Sequence, residues 1–552
     1  MPIKTVIQAT PKTLKIRRSH SGCKSCRKRG KKCDETKPQC RACTRLGLEC
    51  GYGVEHSFQN VNQQLLQQHS RVRLSTTLDS ASTIESRYLD HFTRHVRHLI
   101  PGYLTENSPN STKCYVLRST MLCISASNLS MLNTSVQRRA LPRDPRRSVY
   151  SPLADQSHQA QARKYHDQAL AESRSEITNK PNIKDNAPSI LTAYTILAYY
   201  HHASTNHRQF RVAVWDTVGF VARYREALTQ TKEGNQALQI WHRLCVSHRL
   251  GKPPALLLEG EGNSNFGPNR YPDCFDQLYL HCTLGMSTDD LMYDILIKTM
   301  EIRSRLVVFE CIGGKYGRIQ TDWAIGDVAH DVLNHLLGRD KSENESEEAQ
   351  HGFVRGAHLQ DLLDVQRDRL AVWKSRLRDD QQPDTKTSFQ SHRDAINALY
   401  TLICGMIFDE SKNVKYTDTL IERAICIINN LDLTTSATAD IYTFSLTEIL
   451  LQLVQVHKSE LFFTYILDTF WPKLESKARG YEHSHYPTHL VKRMIALVAR
   501  YWDRGRDVRF MLPAVSEDIA KVKLLDIYHP VDVVVCGCDG KGVYFVERVP
   551  LS

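Results

Sequence analysis

The sequence predicts a mostly α-helical chain: a small N-terminal cysteine-rich module, a flexible linker, a large all-α domain and a short C-terminal β-hairpin. Three observations predict it. Six of the 16 cysteines fall within a 28-residue window, and the other ten are scattered from Cys114 to Cys538. From about Ile84 onward, apolar residues recur at steps of three and four, the period of a helix with one buried face. A single alternating stretch, VDVVVCGCDGKGVYFVE, surrounds Asp539-Gly540 near the C-terminus and reads as a hairpin. With 552 residues, 41% of them hydrophobic, the chain can build one large core or several ordinary ones.

Residues 1–20 are polar and basic and read as a flexible arm. Residues 1–50 hold 14 Lys and Arg against three acids, so they carry nearly all of the formal +12. Such a block is the footprint of a polyanionic partner, because each neutralised phosphate releases condensed counterions. Met1 to Leu14 has no apolar run long enough for an export signal, and no stretch of eighteen apolar residues occurs. A membrane span is therefore not expected, and clustered thiols in a reducing compartment are metal ligands more often than disulfides.

The module, assigned to residues 21–52, reads CKSCRKRGKKCDETKPQCRACTRLGLEC from Cys23. Its candidate ligands are Cys23, Cys26, Cys33, Cys40, Cys43 and Cys50, spaced C-x2-C-x6-C twice. Each cysteine of the first half recurs 17 residues later. Two tetrahedral zinc ions need eight ligand positions, which six thiolates supply only if two sulfurs bridge both metals. Each C-x2-C turn can open a short helix whose N-terminal dipole favours thiolates. RING or LIM sites mix in histidine, and residues 23–50 contain none.

These residues resemble the fungal binuclear zinc cluster transcription factors. The resemblance covers all six cysteines, the basic run Arg27 to Lys32, Asp34, and Pro38 in the loop before the fourth cysteine. It implies two structural Zn²⁺ ions per chain, with Cys23 and Cys40 as bridges, and a first helix presented to the major groove of double-stranded DNA. Family members generally read CGG-type triplets. Arg27, Lys28, Arg29, Lys31 and Lys32 would then face DNA, with Arg41 and Arg45 on the second helix holding phosphates. One position departs from the pattern. The fourth residue after the second cysteine is a lysine or arginine in many members, and here it is Gly30.

Residues 53–83 form the expected linker, in which seven of the ten residues from Gln59 to Gln68 are Gln or Asn. Phe58, Val61, Leu65 and Val72 give about two heptads, making this segment a candidate for homodimer formation. The helical domain is assigned to 84–528 and opens with a capping-box spacing at Ser82 and Glu85. Helices are expected near 84–100, 160–176, 189–200, 209–229, 236–248, 286–311, 323–337, 357–377, 391–408, 417–430, 445–475 and 488–503. The polar stretch containing Pro142, Pro145 and Pro152 reads as irregular, residues 339–350 as an acidic surface loop, and 529–552 as a C-terminal tail. The order of elements from Tyr88 resembles the fungal-specific transcription factor domain. That resemblance implies a regulatory role and a small-molecule effector, with a pocket near 189–200.

Other clusters read as structural. His91, His95 and His98 share a helical face without an HExxH motif, Cys536 and Cys538 are tail thiols, and Gly313-Gly314-Lys315 lacks phosphate-loop spacing. No catalytic constellation is found, so the chain is not expected to be an enzyme. The first functional reading is a nuclear, sequence-specific regulator of RNA polymerase II genes. The second is a helical sensor or interaction protein with only nonspecific nucleic-acid binding.

Overall fold

In the computed structural model the chain divides into two compact units, Met1–Leu74 and Ser75–Ser552. The described residues of the first are 23, 25–26, 29, 33–34, 36, 39–48 and 50. Those of the second run from 81 onward, apart from 103–113, 249–281, 283–285, 317–355, 478–485 and shorter gaps. The basic arm, the heptad segment, the 323–337 helix and the 339–350 loop lie outside the described residues. In the first unit Ser25 and Cys26 are helical, and a second helix is α1 (Arg41–Arg45). The expected class holds: a cysteine cluster, a predominantly helical second unit and a small antiparallel sheet at its C-terminus.

The second unit opens with α2 (Ala81–His91), which passes through a π turn at Phe92–Val96 into Arg97–Leu99. The helix already includes Ser82, so that residue stands within its first turn and not at the N-cap position. Glu85 instead accepts a hydrogen bond from the Arg118 guanidinium at 2.9 Å. Next come α3 (Tyr115–Leu132), an antiparallel pair β1 (Ser135–Leu141) and β2 (Asp144–Leu153), then α4 (Gln156–Asn179), α5 (Ile183–Ala203), α6 (His207–Thr229) and α7 (Lys232–His248). Phe92, Val96, Ile124, Ile190, Ile196, Val221 and Trp241 share one core. Trp241 satisfies its indole N–H on Thr217 Oγ1 at 2.9 Å.

α3 escaped the periodicity reading because it has almost no polar face. Its Ser and Thr residues are buried with its Leu and Ile, and Thr120 returns its hydroxyl to the Val116 carbonyl at 2.8 Å. A helix buried all round shows no stripe. The β1–β2 pair is a correction of the irregular reading at Pro142 to Pro152. With only two strands, each has one unpaired side, and a proline whose nitrogen faces that side costs no ladder bond.

The remaining core is centred on α8 (Thr288–Tyr316), packed by α9 (Gly356–Ser375) and α10 (His392–Phe408). Trp373 on α9 donates to the Thr288 carbonyl at 2.8 Å, and Asn397 on α10 donates to Asp289 at 2.7 Å. α8 also buries charge. Asp294 is 2.9 Å from Lys298 and 2.8 Å from Arg369, with the Asp294 and Lys298 side chains 1% and 2% exposed. Burial pushes the Asp294 carboxyl up, but Lys298 and Arg369 outweigh it and hold it well below the usual carboxylate range.

After α11 (Val414–Asn430) and α12 (Leu433–Ala439), the expected single helix over 445–475 is broken. α13 (Leu446–Val456) starts at a capping box formed by Ser445 and Glu448. It ends where His457 turns extended, and Ser459 caps a new start at α14 (Glu460–Thr464). A π turn at Tyr465–Phe470 leads into α15 (Trp471–Lys477), and α16 (Thr488–Trp502) comes next.

The C-terminal hairpin exists, with two differences from expectation. β4 (Val531–Asp539) and β5 (Tyr544–Leu551) are joined by a four-residue turn, whose N–H groups at Lys541 and Val543 donate to the Asp539 carboxylate. A third strand, β3 (Arg506–Pro513), completes a sheet of order β3-β4-β5. The segment 529–552 is not a separate tail. Val531, Val533, Val535, Phe545 and Leu551 belong to the α8 core. Gly314 explains part of that packing, because a Cβ there would stand 2.1 Å from the Tyr544 ring. Lys315 then donates to the Val546 carbonyl at 2.6 Å. The Gly-Gly-Lys run is a seat for β5.

Candidate metal centre and nucleic-acid interface

The 17-residue repeat of the cysteine module is also a repeat of hydrogen bonds. In the first half, Cys26 N–H donates to Cys23 Sγ at 3.4 Å and Cys23 N–H donates to Cys33 Sγ at 3.4 Å. In the second half, Cys43 N–H donates to Cys40 Sγ at 3.4 Å and Cys40 N–H donates to Cys50 Sγ at 3.2 Å. Each pair places amide dipoles against sulfurs, an environment that stabilises thiolate charge. Cys40 is the N-cap of α1, and Gly47, at φ 59°, reverses the chain after it so that Leu48 N–H reaches the Cys43 carbonyl at 3.0 Å. That reversal returns the chain toward Cys50.

The sulfurs converge. Cys23 Sγ lies 3.7 Å from Cys40 Sγ and 3.5 Å from Cys43 Sγ, and Cys26 Sγ lies 3.7 Å from Cys40 Sγ. The ligand atoms of Cys23, Cys26, Cys40 and Cys43 all fall within 4.8 Å of one another. Cys33, Asp34 and Cys40 form a second such group, so Cys40 is common to both. Cys23, Cys26, Cys33, Cys40 and Cys43 are buried and Cys50 is partly so. Thiols packed this closely compete for negative charge. Burial pushes Cys23 up, but the Cys26 N–H and the neighbouring thiols draw it down to about 6; burial and Cys23 push Cys26 up to about 12. A soft divalent cation relieves that competition by letting all the sulfurs ionise, and the donor set fits zinc.

Asp34 has a structural role that its residue type alone did not reveal. Its Oδ2 accepts from Arg41 N–H at 3.0 Å and from the Thr36 hydroxyl at 2.9 Å, tying the loop between the halves to the first turn of α1. Burial raises this carboxyl, but those donors together outweigh it and hold it below the usual carboxylate value. Asp34→Ala is expected to lower the melting temperature of the module, followed by circular dichroism, while the ranking of DNA sequences it binds stays unchanged. A changed ranking would mean that Asp34 touches the reading surface.

Of the expected DNA contacts, Arg29 sits exposed in a turn, and Arg41 and Arg45 are exposed one helical turn apart on α1. Arg27, Lys28, Gly30, Lys31 and Lys32 lie outside the described residues. His91, His95 and His98 do not form a ligand group among the described residues. His91 Nε2 is 2.9 Å from Asn128 Oδ1, burial lowers it to about 4, and the exposed His98 sits beside Arg97. Cys536 is buried against α8 with Cys311.

In the second unit, a cavity of about 500 Å³ opens among α4, α5 and α6. Tyr194 and Leu197, within the 189–200 run, line it together with His166, Ser173, His201 and Phe220. The Ser173 and Tyr194 hydroxyls bond to each other across it. No helix among the described residues is long and apolar enough to cross a membrane.

Residues 21–56 match the family model of the fungal Zn(2)-Cys(6) binuclear cluster domain. A domain of this kind holds two zinc ions. Among curated proteins, the chain is 58% identical over 41 residues to Transcriptional regulatory protein pro1 of Neurospora crassa, covering 7% of this chain and 6% of that one. It is 46% identical over 48 residues to Lysine biosynthesis regulatory protein LYS14 of Saccharomyces cerevisiae, covering 9% and 6%. Sterol uptake control protein 2 of Candida albicans matches at 35% over 91 residues, covering 15% of this chain and 13% of the relative. The aligned segments thus span about an eighth or less of these relatives. No solved structure matches the chain.

Proposed function

We propose that the chain is a nuclear, sequence-specific DNA-binding regulator of RNA polymerase II transcription that acts by binding and not by catalysis. Cys23, Cys26, Cys33, Cys40, Cys43 and Cys50 hold two zinc ions, with Cys23 and Cys40 as bridges. The observation that carries the reading is the doubled pattern of sulfurs and N–H···S bonds, with exposed arginines on α1 beside it. The similarity of this segment to named transcriptional regulators supports the same conclusion. Arg27, Lys28, Arg29, Lys31 and Lys32 face DNA and read a CGG-type triplet in the major groove, while Arg41 and Arg45 hold phosphates. The helical unit is the regulatory domain, with the α4–α6 cleft as the seat of its effector and the glutamine-rich linker as the dimer element.

Phosphate contacts and base contacts leave different signatures. Arg41→Ala or Arg45→Ala is expected to weaken binding similarly on all duplexes and to lower the salt slope by about one. Arg29→Ala or Lys31→Ala is expected to cost about 1–3 kcal/mol on the preferred site and to flatten the preference at one base position. Gly30→Lys should raise affinity for a CGG-containing duplex more than for a scrambled one. Titrations of the full chain by fluorescence anisotropy separate the outcomes. An equal rise on both duplexes would show only added charge and would overturn the major-groove placement of the first helix.

A further inference from the structure

In the second unit, two histidines meet across a helix pair. His166 on α4 and His201 on α5 place their Nε2 atoms 3.3 Å apart, with ring centroids 5.0 Å apart and planes at 80°. Imidazole nitrogens bind zinc at about 2.0–2.1 Å, so two of them at a tetrahedral angle stand about 3.3 Å apart. The pair already has that separation.

The surroundings add two features. His166 Nδ1 lies 3.0 Å from Asp167 Oδ1, the carboxylate–histidine arrangement that fixes the proton on Nδ1 and leaves the Nε2 lone pair for a metal. The Tyr200 ring lies 5.4 Å from the His166 ring and restricts its rotation. Both histidines line the α4–α6 cavity, so further coordination positions have room for water or for a donor atom of a bound molecule.

We propose that His166 and His201 form a two-histidine site for a borderline divalent transition metal, zinc foremost, open to the α4–α6 cleft. Without metal, His201 Nε2–H donates to His166 Nε2. Metal binding moves the His201 proton to its Nδ1, so both Nε2 lone pairs face the ion and no net proton is released. Imidazole suits Zn²⁺ and Ni²⁺, whereas Mg²⁺ and Ca²⁺ prefer oxygen donors and are expected to be ignored.

The site shares no residue with the six-cysteine cluster, so the two can be tested apart. Native mass spectrometry of the full chain during a Zn²⁺ titration should show a zinc ion beyond the tightly held ones. His166→Gln and His201→Gln should each lose that extra zinc and keep the tight ones, and Cys33→Ala should keep the extra zinc and lose one tight ion. Absence of the extra zinc from the wild type, or its persistence in both histidine variants, overturns the proposal and leaves the cysteine assignment standing. Because these substitutions could loosen α4 from α5, a second readout uses the wild-type chain. Added Zn²⁺ should protect His166 and His201, but not the exposed His98, from acylation by diethyl pyrocarbonate mapped by peptide mass. Equal modification with and without zinc would contradict the site.

Discussion

Cys40→Ala is expected to empty both tight metal positions, whereas Cys33→Ala should empty one and leave a partly folded module. The asymmetry arises from position. Cys40 Sγ lies within 3.7 Å of both Cys23 Sγ and Cys26 Sγ, and Cys40 also joins the Cys33 group. Its loss removes the proposed bridging sulfur, and with it the N-cap of α1 and the N–H···S bond from Cys43. Structural zinc in small modules contributes about 10–16 kcal/mol of apparent folding free energy, so a module that loses both ions has no substitute core. Native mass spectrometry after dialysis against a weak chelator should count no tight zinc in Cys40→Ala and one in Cys33→Ala. Equal single-zinc losses would remove the bridging role from Cys40. The thiols must ionise to bind metal, so falling pH should release zinc from the wild type as protons compete for sulfur.

The second large effect lies in the helical unit. Asp294→Ala should destabilise it by about 3–5 kcal/mol, because Lys298 would remain buried without the carboxylate that offsets its charge. The Asp294 carboxyl is held below its unfolded value, so its contribution is fully present above the ordinary aspartate range. It is lost only as pH falls through the lower folded value. The difference between wild type and variant, measured as the shift in urea midpoint, should therefore be flat from about pH 5 to 8 and narrow only below about pH 4. A difference that shrinks near neutrality, or a midpoint shift close to zero, would mean that the α8–α9 ion pair does not hold the core.

The six cysteines were legible because metal ligation constrains residue type and spacing together, and neither depends on the rest of the fold. Helices α6 and α16 were legible because one face of each packs in the core while the other carries half-buried or exposed residues. The reading failed where that contrast disappears. α3 is buried all round and carries Ser and Thr that bond within the helix. β3 shifts register between Val508 and Phe510 beside Gly537, which interrupts its alternation. The break in 445–475 depends on His457 turning extended and on Ser459 capping α14, two polar residues with no periodic signal. Asp34 and the His166–His201 pair were hidden for another reason. Their partners lie seven and 35 residues away, and only the folded chain brings them together.

The proposed function requires the zinc cluster to read DNA sequence, and not merely its charge. Selection of bound duplexes from a random pool by this chain separates the two. The wild type is expected to enrich a motif containing a CGG-type triplet, and Cys40→Ala to lose that motif. Salt-sensitive binding with no enriched motif in the wild type would contradict it, and would assign the chain to nonspecific nucleic-acid binding with its main activity in the helical unit.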